Sequence, residues 1–474
     1  MIWKTIWTGI AVCGLSTATA QHQETHTAPN LWKGKEQPAD DTTSLLHAFR
    51  NGQVSGHFRY FFMATDNRNG LTDFHAHAAG GGIKFETARF KGFQFGVSGF
   101  FTFNVGSSNL GKPDPTTNQI SRYEIGLFDL ENPGNRDDID RLEELYLKYS
   151  WKKAHITLGK QLLNTPFINL QDGRMRPTEV GGLFMESRDV KNTRIEGGYL
   201  YELSPRGTVK WFRIAESIGV YPSGVSPSGK PSAYKDHLRS GGIGLLGISH
   251  KLSEKHTVKL YDVFVDNIFN TLLLQADQTW PVGDKQKLVS GLQWIRQQSI
   301  NHGGNEDPAR TYMEKGGQSQ VFGARFGWEN NRWKTSLNYT RITARGRYLM
   351  PREWGVEPFY TFMPRERNEG FGDVHAYVLK AGYDLPKLRL KTQASAGYFN
   401  LPDVMNYRLN KYGLPSYTQF NVDVRYTFTG LLRGMETQLL YVHKGRQGET
   451  YGNDRFVINK VNMSLWNLVI NYYF

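Results

Sequence analysis

The sequence predicts an all-β fold, a transmembrane antiparallel β-barrel of about 18 strands with short periplasmic turns and long extracellular loops. Three observations carry that expectation. The chain ends "SLWNLVINYYF", where Trp466, Leu468, Ile470, Tyr472 and Phe474 alternate with Asn467, Val469, Asn471 and Tyr473. Period two is the side-chain spacing of a strand, and nothing blunts the apolar edge of this one, so it is expected to be paired. The composition combines 28 Phe, 24 Tyr, 11 Trp and 50 Gly with a polar mean hydropathy of -0.51. Many short strands with aromatic faces and Gly-rich turns give that mixture. Finally, short and long connections alternate along the chain, as they do in bacterial barrels.

Residues 1–20 read as a secretory signal. Lys4 supplies the positive charge, Ile6 to Leu15 the apolar stretch, and Ala18-Thr19-Ala20 an A-x-A cleavage site. The only cysteine, Cys13, falls inside that signal, so the mature chain would carry no thiol. Val12 is too bulky for "IAVC" to be a lipidation site. Residues 21–50 are polar with two prolines and are expected to form a flexible N-terminal segment, leaving 51–474 for the barrel. Past the signal no stretch reaches the ~18 apolar residues of a spanning helix. Strands that cross lipid must close on themselves, because each unpaired backbone group there costs several kcal/mol.

The strands follow in order. Phe93, Phe95, Val97, Phe101 and Phe103 share one face, and Leu145, Leu147, Tyr149 and Trp151 share another before "KKA". Tyr199 and Tyr201 precede "SPRG". The clearest hairpin is "SQVFGARFGWENNRWKTSLNYTRI": Phe322, Ala324, Phe326 and Trp328 continue through the turn into Trp333, Thr335, Leu337 and Tyr339. Tyr377, Leu379 and Tyr383 lead into "DLPK"; Phe420, Val422, Val424, Tyr426 and Phe428 lead into "GLLRG". Short connections are expected near residues 90, 152, 205, 254, 282, 330, 385 and 431. Longer ones are expected at 64–79, 106–141, 163–191, 217–240, 299–317, 346–370, 401–416 and 446–459, with a much shorter partner at 267–269. A soluble propeller would instead repeat every ~40 to 45 residues, and no such repeat is present.

The stretch "LYLKYSWKKAHITLGKQLLNTPFINLQDGRMRPTEVGGLFMES" resembles the OprD-type family of substrate-specific outer-membrane porins. That family carries a Pro soon after a strand, then Asp-x-Arg-x-x-Pro and Gly, here Pro166, Asp172, Arg174, Pro177 and Gly181 or Gly182. The resemblance implies a third loop folded into the pore and a passive, substrate-selective channel guiding carboxylates along basic residues. The terminal Phe474 is similar to the end residue by which barrels are handed to the assembly machinery.

If the apolar faces meet lipid, the alternate positions line the lumen. They include Arg59, Lys148, Arg194, Lys210, Arg325, Lys334, Arg389, Lys391 and Arg425, against fewer acids such as Glu86, Glu144, Glu196 and Asp423. Basic rows in an aqueous channel favour anions. In the third loop, "NLQDGRMRP" places a turn at Asp172 and Gly173, with Arg174 and Arg176 expected at the constriction and Met175 between them as an anchor. The loop cations Arg345, Arg347, Arg365 and Arg367 are expected on lipopolysaccharide or in solvent. The partners expected are outer-membrane lipid and lipopolysaccharide, small anionic or zwitterionic solutes, and the assembly machinery through Phe474. No nucleic acid, cofactor, metal or enzymatic activity is expected. "GIGLLG" at Gly242, Gly244 and Gly247 lacks a strand-to-helix setting, His75 and His77 lack a third ligand, and "GVSPSG" is a loop. A sugar porin is the nearest alternative, but its inward aromatics, Phe61, Phe100, Tyr146 and Tyr473, are scattered. A barrel enzyme, or an adhesion or complex partner without an open pore, is the alternative outside the channel class.

Overall fold

The structure, a computed structural model, describes residues 32, 41–136, 138–171 and 173–474. The expected signal, residues 1–20, lies outside the described residues, as does Asp172. Eighteen strands close into one antiparallel barrel: β1 (Gln53–Asp66), β2 (Phe74–Glu86), β3 (Phe93–Ser107), β4 (Asp140–Trp151), β5 (Ala154–Gln161), β6 (Glu179–Ser187), β7 (Thr193–Ser204), β9 (Ile243–Ser253), β10 (His256–Val265), β11 (Phe269–Pro281), β12 (Gln286–Ser299), β13 (Gln318–Asn330), β14 (Trp333–Ile342), β15 (Val374–Leu385), β16 (Leu390–Asn400), β17 (Tyr417–Thr427), β18 (Met435–Arg446) and β19 (Met463–Tyr473). The two-residue β8 (Phe212–Arg213) pairs only with the end of β7 and stays outside the wall.

Closure explains the apolar chain end. β19 pairs with β1 over a register from His57 opposite Tyr473 to Asp66 opposite Ser464. The Gly56 N–H then donates to the Phe474 carbonyl at 2.8 Å, and the Phe474 N–H to that of Gly56 at 3.1 Å. The predicted apolar faces meet the lipid side, with Phe322, Phe326, Leu337, Leu379, Phe420 and Trp466 exposed there. The polar mean hydropathy is the other half of that alternation.

One hairpin is displaced from its predicted position. The sequence suggests a long connection at 163–191 and a turn near 205, whereas β6 occupies Glu179–Ser187 and the chain turns back at 188–192. The outer loop then runs through 205–242, taking "SPRG" with it. The glycine pair in "EVGGLFMES" hides this strand. A Cβ on Gly182 would lie 2.4 Å from the Tyr199 carbonyl oxygen, so the ladder needs glycine where β6 and β7 slip register.

A barrel of this size is too wide for wall side chains to fill. Loops fill the outer half instead. Tyr348, Trp354, Phe359 and Phe371 from the seventh outer loop, 343–373, pack with Phe167 and Ile168 of the third, 162–178, against wall residues such as Val263 and Val374. At the periplasmic rim residues 41–50 are tied down as well. Ser44 caps the short helix α1 (Leu45–Arg50), and the Ala88 N–H donates to the Ala48 carbonyl.

Candidate functional site

The third loop enters the barrel on apolar residues and is pinned by hydrogen bonds. Phe167 and Ile168 are fully buried, and the Thr165 hydroxyl donates to the Ile168 carbonyl at 2.8 Å. Asn169 reads the seventh loop twice, donating to the Val356 carbonyl at 2.9 Å and accepting from the Val356 N–H at 3.0 Å. Met175 packs on the wall at Gly80, where an added Cβ would meet the Met175 methyl at 3.0 Å. The glycine run of β2 thus makes room on its inner face for the loop tip.

Both predicted loop arginines are buried. The Arg174 carbonyl accepts from Arg59 at 2.7 Å, and its guanidinium donates to the Gly173 carbonyl at 2.6 Å. Arg176 is 2% exposed and donates to the Thr208 carbonyl at 2.9 Å. Burial and the neighbouring Arg141 push its guanidinium down to about 9, against the pull of Glu143, Glu179 and Asp129.

On the wall, Arg59, Lys148, Arg194, Arg325, Lys334, Lys391 and Arg425 occupy inward positions of their strands. Four of them are engaged. Arg59 donates to Asn471 at 2.7 Å; Arg194 pairs with Glu186 at 2.9 Å and Glu196 at 2.6 Å. Arg325 pairs with Asp277 at 3.0 Å and lies 4.8 Å from the Tyr360 ring, while Arg425 pairs with Asp423 at 2.8 Å. Lys148, Lys334 and Lys391 make no ion pair among the described residues.

Two expected lumen residues lie elsewhere. Lys210 sits in the 205–242 loop, exposed and 3.4 Å from Glu131, because the strand expected there is the one displaced to Glu179–Ser187. Arg389 stands in the periplasmic turn after Pro386–Leu388 and donates to the Thr429 hydroxyl at 2.7 Å.

Sequence reading missed several wall lysines of inward parity, among them Lys84, Lys259, Lys380 and Lys444. Lys84 pairs with Glu144 at 2.9 Å, and Lys259 lies 4.0 Å from Asp277. Lys380 is 4% exposed, faces the lumen beside Arg325, and has no ion pair among the described residues. Counting parity from Tyr377 and Leu379 would have found it.

The seventh loop also overturns an expectation. Arg365 is buried and Arg367 half-buried, not displayed on the surface, because the loop crosses the lumen. On one side Gln293 donates to the Pro358 carbonyl at 2.9 Å, and the Tyr360 hydroxyl donates to Asp277 at 3.0 Å. On the other, Gln419 donates to the Pro364 carbonyl at 2.7 Å. Glu366 is held by Lys444 at 2.8 Å and Arg122 at 3.1 Å, and Glu369 by Arg352 at 2.7 Å. Burial opposes the Glu366 charge, but Arg122, Lys444 and Arg352 outweigh it and hold the carboxyl far below its usual range. Burial pushes the Glu353 and Glu357 carboxyls up. Arg345 alone of the four loop arginines is exposed; Arg347 is buried and donates to the Val225 carbonyl at 2.7 Å.

Among the described residues of the lead-in, Trp32 reaches the lumen. The buried Trp32 indole donates to Glu144 at 2.8 Å, and an added Cβ on Gly82 would lie 3.1 Å from its ring.

The closed antiparallel barrel is shared with known proteins. A family model described as outer membrane porin, OprD family, matches residues 51–348. The crystal structure of Pseudomonas aeruginosa OpdK with vanillate is 14% identical, covers 90% of this chain and 99% of that one, and superposes with a TM-score of 0.67. Pseudomonas aeruginosa OccK9 (OpdG) gives 15%, 90%, 99% and 0.70. Acinetobacter baumannii OccAB3 gives 16%, 90%, 99% and 0.69. No match was found among curated proteins.

Proposed function

The chain belongs to the OprD family of outer membrane porins, passive channels of the bacterial outer membrane and not enzymes, and on that premise we propose that it admits small carboxylate-bearing solutes and prefers anions to cations. The observation that carries this reading is the set of wall lysines without an ion pair, Lys148, Lys334, Lys380 and Lys391. Three of the wall arginines, Arg194, Arg325 and Arg425, are balanced by Glu186, Glu196, Asp277 and Asp423, so these lysines, with Arg59, set the sign of the field in the lumen. A structural neighbour crystallised with vanillate, a carboxylate, supports the substrate class.

In this reading the third and seventh loops together form the narrow part of the path. Arg174 and Arg176 act there by fixing the third loop and contributing charge from within it, since both guanidinium groups bond to backbone carbonyls. Phe474 presents the assembly signal from the closing strand, with its ring exposed beside Phe58. The test is the zero-current potential of single channels in a salt gradient. An anion-selective sign that weakens as salt shortens the Debye length supports the proposal; a cation-selective sign contradicts it.

A further inference from the structure

Four outer loops converge on a pocket of about 140 Å³ whose charge is lopsided. Its basic lining comes from Arg345 and Arg347 of the seventh loop and Arg408 and Lys411 of the eighth; its one carboxylate is Glu314, from the sixth. Arg345, Arg408, Glu314, Pro308 and Ala309 are exposed, so the pocket opens at the outer face. Lys411, Tyr312, Met313 and Leu349 are buried beneath them.

The floor is built, and two of its polar atoms are idle. Lys411 donates to the Tyr234 hydroxyl at 3.1 Å and lies 4.9 Å from the Tyr312 ring centroid and 4.0 Å from Glu369. Arg347 spends both terminal nitrogens on the carbonyls of Val225 and Tyr407, yet its Nε has no partner. The Tyr312 hydroxyl has none either. Burial pushes that phenol well above its ordinary range, with Glu369 adding to the effect, so it keeps its proton and remains a donor. Orphaned buried donors under a basic rim are a cost unless an acceptor comes to them. Met313, Leu349, Pro227 and Pro308 supply an apolar side.

We propose that this pocket binds the carboxylate of a small organic acid, with Arg345 and Arg408 closing on the anion and the apolar side holding its carbon body. A guanidinium fork matches a carboxylate bidentately, and a body of ring or short-chain size suits the volume. Its use, concentrating solute at the outer mouth, rests on the channel reading above; the binding itself does not.

The experiment is calorimetric titration of the folded full chain in detergent with benzoate, with benzyl alcohol as the uncharged control. The expected result is saturable benzoate binding that Arg345→Ala with Arg408→Ala weakens by about tenfold, the worth of one charge-assisted contact. Tyr312→Phe, which removes only the hydroxyl, should weaken it less, and Lys380→Met in the lumen should leave it in place. Benzyl alcohol should not bind. No saturable binding, or binding indifferent to the paired arginine variant, overturns the site. Inorganic phosphate binding more tightly than benzoate overturns the carboxylate assignment. The zero-current potential of the paired variant separates the two claims, because a channel of the wrong selectivity can still carry the pocket.

Discussion

Glu366 and Lys380 are both buried charges inside the same barrel, and their surroundings differ completely. Glu366, in the seventh loop, has Lys444 at 2.8 Å and Arg122 at 3.1 Å. Lys380, on the wall, has no ion pair among the described residues and Arg325 as a neighbour of like charge. The first arrangement fastens a loop across the lumen. In the proposed reading the second maintains a field in it. A basic residue's role here is therefore decided by whether the fold supplies its counter-charge, and residue type alone does not distinguish the two.

The sharpest break in the comparison comes from Glu366→Gln. It leaves Lys444 and Arg122 facing a neutral amide, and removing one partner of a buried ion pair costs about 3–5 kcal/mol. The expected outcome is a lower melting temperature with noisier single-channel currents as the seventh loop loosens. Lys380→Met, by contrast, removes a buried charge without orphaning a partner. Stability should hold or rise, and the zero-current potential should move toward cation selectivity.

Proton titration sharpens the same contrast. The Glu366 carboxyl is depressed in the folded state, so its stabilisation is fully present above the ordinary carboxylate pKa and is lost as pH falls toward the folded value. Glu353 and Glu357 are raised by burial and act in the opposite sense, favouring the fold as they protonate. The melting difference between wild type and Glu366→Gln isolates the first effect. It should shrink as pH is lowered from neutral through the carboxylate range, and a difference independent of pH would remove the ion pair from the account.

Trp32→Ala tests the periplasmic side of the lumen. It takes a neutral donor off Glu144 and uncovers that carboxylate, so conductance should rise while anion preference declines. Adding Glu144→Gln should restore the preference and keep the larger conductance. The smallest effect is expected at Lys210, an exposed loop residue paired with Glu131. Exposed pairs are worth about 0–1 kcal/mol, and Lys210→Ala should leave both stability and selectivity at wild-type values.

Much of the barrel was legible because lipid imposes one rule on every strand. Alternation from Phe322 to Tyr339 or from Trp466 to Phe474 has no other use, and closure follows from it. β6 was not legible, since Gly181 and Gly182 carry no apolar signal and "SPRG" imitates a hairpin turn. That single displacement accounts for the misplacement of Lys210. The seventh loop escaped for a related reason: "PREWGVEPFYTFMPRERNEG" is so charged that it reads as surface. Its aromatic content was the available clue, because Tyr348, Trp354, Phe359 and Phe371 need a core to enter. Trp32 in the polar lead-in was a clue of the same kind. Which cations would meet carboxylates across the barrel depends on pairings hundreds of residues apart, such as Arg122 with Glu366, and no local pattern encodes them.

The most direct test of the account is the zero-current potential in a potassium chloride gradient, measured for wild type, Lys380→Met and Glu366→Gln under identical conditions. The account predicts an anion-selective sign for wild type, a clear shift toward cations for Lys380→Met, and for Glu366→Gln no comparable shift in that direction despite its lower stability. A cation-selective wild type, or a Lys380→Met channel indistinguishable from it, would contradict the claim that unpaired wall lysines set the selectivity.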